Sequence, residues 1–127
     1  MKLRIKGNSL RIRVTPSELN QLLLDGAIRE HLQLTTNAKD RLTYAVVSSP
    51  SGLTTTVAYQ SGNITVGVPQ VDLERWAGGD DVGVYAEVAL SSDKMLSVAI
   101  EKDFACLDRN DTENEDTFPN PSLAAAC

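Results

Sequence analysis

At 127 residues and 13.7 kDa the chain is long enough to build one domain around one hydrophobic core. A hydrophobic share of 42% and a charged share of 23% exclude wholesale disorder, and no run approaches the ~18 apolar residues that a membrane span needs. A net charge of −5 disfavours a general nucleic-acid binder.

The charge is unevenly placed. Lys2, Arg4, Lys6, Arg11 and Arg13 fall within the first thirteen positions with no acid among them. Between Glu101 and Asp116 the balance reverses, with seven acids against Lys102 and Arg109. The opening Met1–Lys6 alternates charged and apolar residues, so it cannot form the apolar stretch of a signal peptide, and we read the chain as cytoplasmic. Cys106 and Cys127 fit two free thiols in a reducing compartment, with Cys106 acting as a small core residue.

The N-terminal segment predicts a β-hairpin. Leu3 and Ile5, then Leu10, Ile12 and Val14, alternate with basic residues around a Gly7-Asn8 turn. That turn sets Ile5 opposite Leu10 and Leu3 opposite Ile12, and on the other face Arg4 opposite Arg11 and Lys2 opposite Arg13. Next, Thr15-Pro16-Ser17-Glu18 is a capping box, with Val14 and Leu19 at the staple positions. It opens a helix over about 16–25 that buries Leu19, Leu22 and Leu23 and ends at Gly26.

Strands are expected from Ile28 to Leu34, Leu42 to Val47, Leu53 to Tyr59 and Ile64 to Val68, separated by Ser-, Gly- and Asn-rich turns. Glu30 interrupts the apolar parity of the first of these. A short helix over about 71–77 turns Leu73 and Trp76 inward before Gly78-Gly79. A last pair follows: Val82 to Leu90, then Leu96 to Ile100, joined through Ser91-Ser92-Asp93-Lys94. The fold class is mainly β (α+β): a curved antiparallel sheet or open barrel of about seven or eight strands with two helices. We place a single β-rich domain over 1–107 and an acidic, loosely ordered tail over 108–127, with Phe118 docked on the body. No repeat of solenoid period is present.

Like charges opposed across a hairpin need compensation. Solvent can supply it, as can the strand carboxylates Glu101, Asp103, Glu87 and Glu30, or a bound anion. In a closed barrel, Lys2, Arg4, Arg11 and Arg13 would line an anion-binding lumen, and Glu101, Asp103 and Glu87 would hold a divalent metal for phosphoryl chemistry. The nearest architecture is the triphosphate tunnel barrel. Its alternating glutamates on the first strand are replaced here by Lys2, Arg4 and Lys6. The segment from Asp108 carries part of the spacing of a calcium loop, but Glu113 stands where glycine is needed. His31 reads as a surface residue and Trp76 as a core anchor. No nucleophile–histidine pair and no phosphate-binding glycine loop is visible.

The start Met1-Lys2-Leu3-Arg4-Ile5-Lys6-Gly7-Asn8-Ser9-Leu10-Arg11 and the end Ile100-Glu101-Lys102-Asp103-Phe104-Ala105-Cys106-Leu107, with Phe118-Pro119-Asn120-Pro121, resemble a family of small uncharacterised bacterial proteins. The similarity runs over most of the chain, including the Thr-Pro-Ser-Glu helix start. It implies a free-standing small cytosolic domain and assigns no functional residue.

The leading functional reading is a non-catalytic binding or interaction module whose partner is a protein or an anionic small molecule, not nucleic acid or membrane. The alternative is a metal-assisted phosphate-ester or polyphosphate enzyme. Homo-oligomerisation, basic hairpin to acidic tail, is a third. No cofactor is specified.

Overall fold

In a computed structural model of the chain, residues 1–105 and 114–121 are described. Ten elements alternate as two hairpins around a helix, twice over. These are β1 (Lys2–Lys6), β2 (Ser9–Val14), α1 (Pro16–Asp25), β3 (Ala27–Gln33) and β4 (Arg41–Ser49), then β5 (Thr56–Gln60), β6 (Asn63–Pro69), α2 (Gln70–Gly78), β7 (Gly83–Ser91) and β8 (Lys94–Lys102).

The first hairpin pairs as its hydrophobic pattern dictates, with Ile5 opposite Leu10, Leu3 opposite Ile12, Arg4 opposite Arg11 and Lys2 opposite Arg13. Gly7 takes the positive φ of 54° that closes the turn. In α1 the Thr15 side chain accepts from the Glu18 amide, and Glu18 accepts from the Thr15 amide at 2.9 Å, the reciprocal bonds of a capping box. Gly26 ends the helix at φ 80°, its amide bonding the Leu22 carbonyl at 3.0 Å.

The strands form two four-stranded sheets, ordered β1-β2-β8-β7 (sheet A) and β3-β4-β6-β5 (sheet B). They do not close into a barrel. Each hairpin is antiparallel, as expected, but the centre of each sheet is parallel: β2 runs beside β8, and β4 beside β6. The reason is long-range. Each helix carries the chain from one sheet to the other, so the two hairpins flanking it never meet.

A two-fold internal relation organises this topology. Adding 54 to a residue number in the first half gives its counterpart in the second. Thus Ile5 opposite Leu10 becomes Tyr59 opposite Ile64, and Val46 beside Val66 becomes Ile100 beside Ile12. Two extra residues before β7 move its match with β3 to 56, so that Arg29 opposite Ala45 becomes Tyr85 opposite Ala99. The exchange turns sheet A into sheet B and sheet B into sheet A.

The core obeys the same relation. Ile12, Val14, Leu19, Leu22 and Val46 are buried with their counterparts Val66, Val68, Leu73, Trp76 and Ile100 in one cluster. Helices and inner sheet faces therefore share a single interior, and the Trp76 indole N–H donates to the Val82 carbonyl at 3.1 Å. Beyond β8 the chain returns to the body. Phe118 pairs with the 103–105 backbone (Phe118 amide to Asp103 carbonyl, 2.8 Å) and sets its ring edge-on to Phe104, centroids 6.0 Å apart. The segment from Asp108 to Glu113 and both cysteines lie outside the described residues.

The helix caps differ between the halves, since Pro69 at the start of α2 makes no side-chain cap bond. Removing the cap of α1 by Thr15→Ala should lower stability by about 1 kcal/mol in denaturant unfolding. No measurable loss would mean that packing alone sets that helix start.

Candidate charged face on sheet A

Period-two alternation decides where the charged residues go. In β2, Leu10, Ile12 and Val14 point into the core, so Ser9, Arg11 and Arg13 face outward. Pairing then places Lys2 and Arg4 on the same outer face, together with Ser97, Ala99 and Glu101 of β8 and Tyr85 and Glu87 of β7. The four predicted basic residues are thus brought together, on an outer sheet face and not in a lumen.

Carboxylates from β8 and the residue after it meet two of them. Lys2 Nζ lies 3.0 Å from Asp103 Oδ2, and Arg11 Nε lies 3.1 Å from Glu101 Oε1. Asp103 is almost fully buried whereas the Lys2 side chain is largely exposed, so this pair caps a buried carboxylate at the sheet margin. The other oxygen of Glu101 accepts from the Tyr85 hydroxyl at 2.7 Å. Burial first, then the hydrogen bond and charge of Glu101, push the Tyr85 phenol up to about 12. The Ser97 hydroxyl donates to Glu87, 2.8 Å from either carboxylate oxygen.

A shallow trough of about 370 Å³ runs over the small residues Ser9, Ser97 and Ala99. Arg11 forms one wall, and Tyr85 with Glu87 forms the other. Gly83 is required at its end: a Cβ there would sit 2.5 Å from the Ile100 carbonyl oxygen and 2.9 Å from Glu101 Cγ. Arg4, Lys6 and Arg13 have no ion-pair partner among the described residues.

Glu101, Asp103 and Glu87 do not gather at one point. The first two sit beside separate cations and the third beside Ser97, and no group of three His, Cys, Asp or Glu among the described residues is placed to hold a metal. Tyr85 and Ser97 were not singled out by the sequence, although Tyr85 shares the parity of Glu87.

Glu30 belongs to a different cluster. The Met1 α-ammonium lies between Glu18 Oε2 at 2.5 Å and Glu30 Oε1 at 2.7 Å, and Tyr44 donates to Glu30 Oε2 at 3.0 Å. An acid that interrupts an apolar parity is therefore paired with a buried cation. His31 bonds Thr43 Oγ1 at 2.8 Å.

This clamp makes stability pH-dependent in both directions. Burial lowers the Met1 ammonium pKa, but its bonds to Glu18 and Glu30 outweigh that and hold it above 8.0, so its contribution is complete below that pH and fades as pH rises through the folded value. Glu30 is held below 4.5, its bonds to the ammonium and to Tyr44 outweighing desolvation, so its contribution is complete above that pH and fades on acidification. The melting temperature should plateau between the two limits, and Glu30→Gln should lower that plateau. An unchanged profile in the variant would contradict the pairing.

No helix among the described residues is long and apolar enough to cross a membrane. No curated protein and no solved structure matches the chain significantly. A family model matches residues 1–122 and so takes in both sheets, both helices and the returning Phe118 segment: the chain belongs to a family of unknown function, DUF7009.

Proposed function

We propose that the protein is a non-catalytic binding module that engages an acidic protein segment through the outer face of sheet A. The observation that carries this reading is the contrast between two equivalent faces. At the positions of Lys2, Arg4, Lys6, Arg11 and Arg13, sheet B has Thr56, Ala58, Gln60, Thr65 and Gly67. Sheet B forms with the same strand order and register without those charges. The architecture therefore does not require them, and recognition of an anionic partner accounts for their concentration on one side of a chain whose net charge is −5.

The shape of the face selects the partner class. The basic side chains lie along β1 and β2 over a span of about 14 Å, four residue steps at ~3.4 Å each. That is longer than one phosphate and suits an extended segment with several carboxylates. Arg4, Lys6 and Arg13 are the contact residues, because Arg11 and Lys2 already hold Glu101 and Asp103. The metal-assisted phosphate-ester alternative gains nothing from the placement of Glu101, Asp103 and Glu87, since two of the three are neutralised by their own cations.

Fluorescence anisotropy with a labelled polyglutamate peptide at low salt tests the reading. The double variant Arg4→Glu/Arg13→Glu should bind at least tenfold more weakly than wild type, and added salt should weaken wild type too. Reversal of Arg75, which pairs with Asp72 on the solvent side of α2, should change little. Equal binding by the double variant, or none by wild type, would sink the proposal. Thermal stabilisation by pyrophosphate without polyglutamate binding would replace the acidic segment by a small anion.

A further inference from the structure

The two sheets have four edges, and three of them carry charge. β1 has Lys2, Arg4 and Lys6; β3 has Arg29 and Glu30; β7 has Glu87. The fourth edge, β5 with the sequence Thr-Val-Ala-Tyr-Gln, has no charged residue and no proline, and pairs with β6 without a bulge. Charged side chains, proline and bulges are the features by which edge strands avoid pairing with other chains, and β5 lacks all three.

The apolar side of this edge is also open. Val57 and Tyr59 share the inward parity, and Tyr59 is 71% exposed. It stands with Ile5, 61% exposed, at the mouth of a 220 Å³ apolar groove between the sheets, which Leu10, Ile64 and Leu96 also line. Ile5 and Tyr59 are counterparts under the internal two-fold relation.

We propose that β5 is a self-association edge, at which two copies of the chain pair antiparallel about Ala58 and join their B sheets into one continuous eight-stranded sheet. The strand is self-complementary in that register. Val57 meets Tyr59 of the partner subunit on the apolar face, an aromatic–β-branched pair, and Thr56 meets Gln60 of the partner subunit on the polar face. No like charges are opposed, whereas β1 paired with itself about Arg4 would set arginine against arginine. The tyrosine ring then covers the groove mouth of the other copy. An isologous contact of this kind closes as a two-fold dimer. Five residues per copy make a small interface, so the dimer is concentration-dependent and not obligate.

Sedimentation equilibrium of the full chain across the micromolar range tests this. The weight-average mass should rise from 13.7 kDa toward twice that value, and high salt should leave the equilibrium in place, because the edge is neutral. Ala58→Arg gives β5 the residue that β1 carries at the matching position, Arg4, so the strand can accommodate it. This variant should remain monomeric with an unchanged melting temperature at dilute concentration. Thr56→Lys, which copies Lys2, is the second variant should the first not fold. A wild type that stays monomeric, or a dimer that survives either variant, overturns the proposal. A dimer dissolved by salt overturns it too, in favour of contact between the basic hairpin and acidic surfaces. A monomer whose β5 amides are protected from exchange only by an added apolar peptide shows a different occupant and likewise overturns self-pairing.

Discussion

The whole structure depends on two parallel contacts, β2 beside β8 and β4 beside β6. Each hairpin satisfies one side of its inner strand and leaves the other side with unpaired amides and carbonyls, which must find partners when buried. The missing partner always comes from the other half of the chain. Ile12 reaches Ile100 and Val46 reaches Val66 across these seams, and all four are among the fully buried residues. Neither half has a sheet or a core of its own, so folding must bring distant segments together before the shared interior is closed.

The same exchange explains how the basic hairpin is tolerated. Arg4 against Arg11 and Lys2 against Arg13 are unfavourable pairs on any sheet. Their carboxylate partners, Glu101 and Asp103, are at the far end of the other half and reach the hairpin only because β8 lies along β2. Each ion pair joins a partly exposed cation to a buried or nearly buried carboxylate, so much of its attraction offsets the lost hydration of that carboxylate. Their effect is local. They fix Lys2 and Arg11 and leave Arg4, Lys6 and Arg13 free of ion-pair partners among the described residues. The counterpart face on sheet B, with threonine, alanine and glutamine in place of these charges, shows that the scaffold alone does not demand them.

Local features were legible in the sequence because their causes are local. Thr15, Pro16, Glu18 and Gly26 specify α1 within a few residues of one another, and alternation about Gly7 fixes the first hairpin's register. Leu73 and Trp76 likewise mark α2. Sheet order was not legible, because nothing in the alternation of β2 or β8 says that they run parallel. The internal relation keeps few identities, among them Val14 with Val68, Leu19 with Leu73, Ala45 with Ala99 and Leu42 with Leu96, while Ile12 with Val66 or Leu22 with Trp76 preserve only apolar character. A search for solenoid periods does not detect a repeat that occurs twice and exchanges its hairpins. For the charged face, residue types and parity placed Lys2, Arg4, Arg11 and Arg13 together. The trough walls needed Tyr85, and its aromatic ring gives no sequence signal apart from the parity it shares with Glu87.

The two half-chains share one core. The single tryptophan, Trp76, in the second half reports on this sharing during denaturant unfolding of a first-half core variant, Leu22→Ala. A shared core predicts one transition, coincident by fluorescence and far-UV circular dichroism, displaced as a whole by about 2–5 kcal/mol relative to wild type. A Trp76 transition that stays in place while the dichroism shows a separate, earlier phase would mean that the halves unfold independently, and would contradict the account.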